Sequence, residues 1–163
     1  MEDIKDRLGE YKYNFFTNLQ NYLETELHFY GSIKRADYIS NSSDIDIIVI
    51  TDNVKSMLSK IQAYLNISKD NTQKIFQQYS VYDKGVITGY KIKYKNVENK
   101  IEFDLLVYDD KYRTLVLQNI YDINNLPLYI ITILYILKIL YYKLHLISRG
   151  IYNKLKCHLF ACY

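Results

Sequence analysis

The sequence predicts an α/β domain of the α+β kind: a small mixed β-sheet covered by helices, followed by a helical C-terminal arm. Three observations predict it. Segments rich in Ile, Val, Tyr and Phe, at residues 44–50, 86–94 and 100–108, read as strands, and helical-period segments stand among them. The 163 residues are 49% hydrophobic and 24% charged, enough for one core and too apolar for a disordered chain. From residue 110 onward only helical patterns remain. We therefore divide the chain into a core, 1–109, and an arm, 110–163, that packs on it.

Taken in order, residues 3–28 place Ile4, Leu8, Tyr11, Phe15, Leu19, Tyr22 with Leu23, and Leu27 at three- and four-residue steps, the stripe of an amphipathic helix. His28–Tyr30 is a short strand that delivers the chain to Gly31-Ser32. Residues 33–43 form a polar connection, opened by a helical turn whose N-terminus suits an anion. Lys34 and Arg35 lie in it, either as cations for that anion or as solvated charges. A strand starts at Asp44, a helix covers 53–65 (Val54, Met57, Leu58, Ile61, Leu65), and 69–78 is expected as a second helix. Strands 86–94 and 100–108 are joined through Asn96-Val97-Glu98-Asn99, with helices on one face of the sheet. Residues 110–122 form a helix that stops at Asn124-Asn125-Leu126-Pro127.

Residues 128–147 are the most hydrophobic stretch, and about 20 residues is a membrane-spanning length. Lys138 at the centre would cost roughly 2.5–3.5 kcal/mol on insertion. Lys143 and His145 follow, and Tyr129, Tyr135, Tyr141 and Tyr142 are spread through the segment rather than gathered at its ends. A buried helix on the sheet is therefore expected, not a membrane anchor. Its lysines need partners or a route to solvent. Being about 140° apart around the helix, Lys138 and Lys143 do not share a face, so one can meet a phosphate or nucleic acid while the other snorkels. After Gly150 a basic helix, 151–160, ends the chain.

The formal net charge is +3, unevenly spread. None of the 18 acids lies after Asp122, whereas Lys138, Lys143, Arg149, Lys154 and Lys156 do, so the arm is basic and the rest net acidic. This layout suits a polyanion or a solvated helical face. Cys157 and Cys162 have neither a disulfide-framework nor a zinc spacing, and the N-terminus lacks an apolar signal core. An intracellular, cytoplasmic setting is expected. Abundant Ile, Tyr, Lys and Asn with one Pro and no Trp point to an AT-rich coding genome, such as a large DNA virus (then host cytoplasm) or an AT-rich microbe. Oligomeric state is not encoded legibly.

The chemistry concentrates at Gly31-Ser32, Asp44-Ile45-Asp46 and the apolar run Ile47–Ile50. Carboxylates two apart on a strand share a face, and burying them together is costly unless a cation sits between them. Asp104 interrupts the strand Lys100–Tyr108. If that strand lies beside the first, three carboxylates can converge on two ions roughly 3.5–4 Å apart. A turn in which Asp44 and Asp46 merely cap after Asn41-Ser42-Ser43 predicts polar alternation beyond Asp46, and Ile47–Ile50 are all apolar.

Gly-Ser, a spacer of about ten residues, Asp-hydrophobic-Asp-hydrophobic and a later strand Asp resemble the DNA polymerase beta nucleotidyltransferase superfamily over about residues 28–108. The resemblance implies metal-dependent transfer of a nucleoside monophosphate from an NTP to a hydroxyl, releasing pyrophosphate, with two Mg²⁺ or Mn²⁺ ions. It implies that Gly31 and Ser32 hold the triphosphate with Lys34 and Arg35 beside them. Asp44 and Asp46 then ligate both ions, and Asp104 ligates the catalytic one and helps activate the hydroxyl. The acceptor (nucleic acid, protein or small molecule) stays open. Gly31-Ser32-Ile33-Lys34-Arg35 also resembles the Gly-Gly/Ser-x-Arg-Arg of family X polymerases, which makes a minimal polymerase on gapped DNA the second reading. Ala36 replaces the usual glycine there, and no Tyr-Phe-Thr-Gly segment is present. A catalytically silent binding module is the third reading, and the retention of all three carboxylates argues against it.

Overall fold

The computed structural model describes residues 4–40, 42–78 and 86–161. Asn41 of the alternative capping turn, the first residue of the expected N-terminal helix and Cys162 lie outside them. Five strands form one sheet in the order β1-β2-β5-β4-β3. These are β1 (His28–Tyr30), β2 (Asp46–Thr51), β3 (Thr72–Gln78), β4 (Val86–Asn96) and β5 (Ile101–Asp109). Among the described residues only the central β2–β5 pair is parallel; β1–β2, β5–β4 and β4–β3 are antiparallel, so the sheet is mixed as expected.

The four apolar residues after Asp46 have two destinations. Ile47 and Val49 join the core beneath α2 (Glu10–Leu23) and α3 (Val54–Leu65), with Phe16, Leu19, Leu23, Met57 and Ile61. Ile48 and Ile50 point the other way, to Leu106, Tyr108 and the Val116 and Ile120 side chains of α4 (Arg113–Asn124). Side chains alternate across a strand, so a continuous apolar run needs cover on both faces. Helices accordingly lie on both faces of the sheet, not on one.

The N-terminal stripe is split into α1 (Lys5–Leu8) and α2 by Gly9 at φ 73°, a conformation a residue without Cβ takes without strain. The break turns the buried face, so Phe16 is fully buried, Tyr11 is exposed, and Phe15 packs partly buried against the core. α3 starts where Asn53 accepts a hydrogen bond from the Ser56 N–H at 3.0 Å, an N-cap. The helix expected over 69–78 does not form. A short turn, Lys69–Asn71, leads into β3, whose Thr72–Gln78 pair in register with Ile92–Val86. β4 would otherwise carry an open row of N–H and C=O groups, and polar Gln73 and Lys74 suit the resulting edge strand.

The long apolar run is not one helix either. α5 (Leu128–Lys138) passes into a wide turn, Ile139–Lys143, where the Leu144 N–H reaches back to the Ile139 carbonyl at 3.0 Å. Among the described residues no single helix is long and apolar enough to cross a membrane; α4 and α5 with its turn would qualify together, but they are bent by 74°. α6 (Arg149–Ala161) then folds back so that Leu159 and Phe160 pack on Leu126, Ile130 and Leu134.

Candidate active site

β1 ends in a 3₁₀ turn, Gly31–Lys34, that abuts the start of β2. Gly31 sits at φ 75°, and a Cβ placed on it would come within 3.2 Å of Asp46 Oδ2. The backbone conformation therefore favours glycine there, and a Cβ would push the Asp46 carboxylate back by a few tenths of an ångström. Its N–H donates to Asn124 Oδ1 at 2.9 Å, which ties the turn to the end of α4. Ser32 and Ile33 are buried behind it.

The parallel register of β2 and β5 sets Asp46 directly opposite Asp104. Asp44 lies two residues before β2 begins, exposed, and the Asp104 N–H donates to the Ile45 carbonyl at 2.9 Å. Burial pushes the Asp46 carboxyl up to about 6; Asp44 and Asp104 push the same way, and Lys156 and Lys91 oppose them. The Lys91 ammonium of β4 forms an ion pair with Asp104. Among the described residues no three acidic, His or Cys side chains are gathered closely enough to hold an ion as they stand. The sheet thus brings Asp46 and Asp104 side by side with Asp44 just ahead, while Lys91 occupies Asp104. The donors are all carboxylate oxygens around an undercompensated Asp46, a set that fits hard divalent cations.

The polar connection is not a solvated loop. Arg35 is buried, with Nε and Nη2 donating to the two Asp37 carboxylate oxygens at 2.9 and 3.2 Å and Nη1 to the Ile123 carbonyl at 2.9 Å. Lys138 Nζ donates to the Asp37 carbonyl at 2.9 Å and to Ser43 Oγ at 3.2 Å, and lies 3.0 Å from Asp37 Oδ2. Burial works to raise the Asp37 pKa, but the hydrogen bonds of Arg35 and the charges of Lys138 and Arg35 carry it below the usual carboxylate range. Lys138 is lowered by burial, which Asp37 only partly offsets. Two buried cations share one buried anion, so the lysine carries the imbalance. Arg7 Nη1 adds bonds to the Ile33 and Arg35 carbonyls. The loop between the glycine turn and Asp44 is thereby fastened to α1, α4 and α5.

A cavity of about 310 Å³ opens above these residues. Gly31, Ser32, Asp44 and Asp46 line it from the sheet side, and Tyr142, Tyr152 and Lys156 from the arm. Arg35 and Lys138 also border it, with their N–H groups already donating to Asp37. Lys34 borders a separate hollow with Glu26, His28 and Asn124, and exposed Lys143 is not among the residues lining the cavity. Asp37, Lys91 and Tyr152 carry no site signal in the sequence, Asn124 and Tyr142 read there only as part of a helix stop and a scattered tyrosine, and Lys156 only as one cation of a basic arm. The clue to Asp37 is Lys138, which needs an acid once its helix is read as buried. The Tyr152 ring stacks on Tyr141 at 4.8 Å, and burial raises its hydroxyl pKa.

A family profile for the nucleotidyltransferase domain matches residues 15–159, both the sheet and the greater part of the arm. No curated protein and no solved structure matches the chain.

Proposed function

Because this chain belongs to the nucleotidyltransferase domain family, and so is an enzyme that takes a nucleoside triphosphate as substrate, we propose that it moves the monophosphate to a hydroxyl acceptor. Asp44, Asp46 and Asp104 are the metal ligands of this reading, and Gly31 and Ser32 its triphosphate site. The observation that carries it is the β2–β5 register, which sets Asp46 beside Asp104 at the lip of the glycine turn. Two divalent ions, Mg²⁺ or Mn²⁺, supply acidification of the acceptor hydroxyl and neutralisation of the triphosphate when bound.

The chain's own residues do the rest. The Gly31–Ser32 turn, with its Gly31 N–H held by Asn124 Oδ1, leaves room for phosphate oxygens at the end of a strand because residue 31 carries no side chain, and Ser32 lines the same cavity. Lys156, the arm cation whose charge acts on Asp46, takes the phosphate-facing role that its sequence suggested for Arg35. Arg35, Asp37 and Lys138 are positioning residues: they hold the loop that delivers Asp44. Asp104 takes up the acceptor's proton once Lys91 releases it. An intracellular, cytoplasmic setting goes with this reading, and exposed Cys157 is compatible with it.

The test is transfer of label from each α-labelled NTP, with Mg²⁺ or Mn²⁺, to a short RNA, a gapped DNA or total cell protein, with Asp44→Ala/Asp46→Ala alongside. Transfer that disappears in the variant is expected. Transfer that survives in it, or metal-independent transfer, removes these carboxylates from the chemistry.

A further inference from the structure

A second and larger cavity, about 610 Å³, meets the first at Ser43, Asp44 and Tyr142, which line both. Its outer wall carries Lys12 from α2, Lys95 from β4 and Lys100 from the β4–β5 turn. Among the described residues there, the one acid besides Asp44 is Glu102, and Lys95 Nζ holds it at 2.8 Å. Among the described residues, Lys12 and Lys100 have no ion-pair partner.

We infer that this cavity receives the acceptor, and that the acceptor carries phosphate groups next to its reacting hydroxyl. The inference rests on the nucleotidyl-transfer reading above. In-line displacement at phosphorus brings the attacking oxygen in from the side opposite the departing pyrophosphate. With the triphosphate on the Gly31–Ser32 turn, the far side of Asp44 is the larger cavity, and its volume is that of a small-molecule or nucleotide-sized site. The acceptor oxygen bonds to the α-phosphorus, the bond from that phosphorus to the bridging oxygen breaks, and pyrophosphate leaves with the electron pair. The hydroxyl proton goes to Asp104, the neighbour of Asp46 across the β2–β5 register, once Lys91 releases that carboxylate. An uncharged acceptor gains nothing from two unpaired ammonium groups on the wall, whereas phosphates on either side of a terminal hydroxyl are neutralised by them.

The test uses the full chain and a fluorescein-labelled short single-stranded oligonucleotide, read by anisotropy across a salt series. An unlabelled nucleoside monophosphate and the corresponding nucleoside serve as competitors. Wild type is expected to bind, and Lys12→Ala/Lys100→Ala to bind roughly tenfold more weakly, with a salt slope shallower by about 0.7 per lysine. The affinity of the variant for NTP should stay at the wild-type value. Competition by the monophosphate alone assigns the site to small phosphorylated acceptors, and preference for the oligonucleotide assigns it to strand ends; both uphold the inference. Equal binding by wild type and variant, equal competition by the phosphate-free nucleoside, or label transfer to protein hydroxyls alone would overturn it. Lysine-dependent binding without any label transfer would instead sink the transferase reading and leave this phosphate surface standing.

Discussion

Asp46→Asn should stabilise the metal-free protein at neutral pH while abolishing transfer. In the fold the Asp46 carboxyl is pushed up to about 6 from 3.8. A carboxylate with a raised folded pKa stabilises the fold fully below its unfolded pKa and loses that contribution as pH climbs through the folded value. At pH 7.5 the charge is present and opposed by its surroundings, by about 3 kcal/mol at one pKa unit per 1.36 kcal/mol. Screening at the cavity mouth reduces that, so about 1–3 kcal/mol is the expected gain for the asparagine. The assay is urea denaturation followed by far-UV circular dichroism, in chelator, at pH 5 and pH 7.5, for both proteins. Taking the difference at each pH isolates Asp46 from His28, whose pKa burial lowers and whose contribution therefore runs the other way, falling as pH drops. Added Mg²⁺ should stabilise wild type and leave the variant nearly unmoved. A variant less stable than wild type at pH 7.5, or a difference that does not change between the two pH values, would refute the argument that like charge and burial strain this site.

Three further outcomes are expected. Gly31→Ala forces an L side chain to φ 75° and sets its Cβ 3.2 Å from Asp46 Oδ2; transfer should fall at least tenfold and stability by about 1–2 kcal/mol in urea. Asp37→Ala leaves Arg35 and Lys138 buried without their anion and should cost about 3–5 kcal/mol, whereas Lys138→Met keeps the Arg35–Asp37 pair and should cost clearly less. Equal losses from the two would show that the pairing is not what holds the loop. Lys91→Met frees Asp104, so Mn²⁺ affinity measured by electron paramagnetic resonance should rise roughly three- to tenfold; unchanged affinity would mean that the lysine does not compete for that carboxylate.

What could be read along the chain was whatever local pattern and residue chemistry encode. Ile47–Ile50 beside Asp44 and Asp46 announced a buried strand with charge at its entrance, and Lys100–Tyr108 with Asp104 announced its neighbour, because strand periodicity and the rarity of unpaired buried charge are properties of a few consecutive residues. Residues 69–78 do not show their strand in the sequence, because an edge strand is held by the β4 backbone it pairs with, which its own side chains do not reveal. The same limit applies to the second helical face, to Gly9 dividing the first helix, and to Lys138, whose need for an acid was visible although the identity of Asp37, 101 residues away, was not. Only the fold-back of α6 could bring Tyr152 and Lys156 over Asp46, since a long-range contact depends on how whole helices pack. Residue order alone sets the candidate carboxylates, the glycine turn and the two strands that hold the carboxylates. Which cations face those carboxylates follows from the packing, because charge compensation depends on distance in space and not on position along the chain.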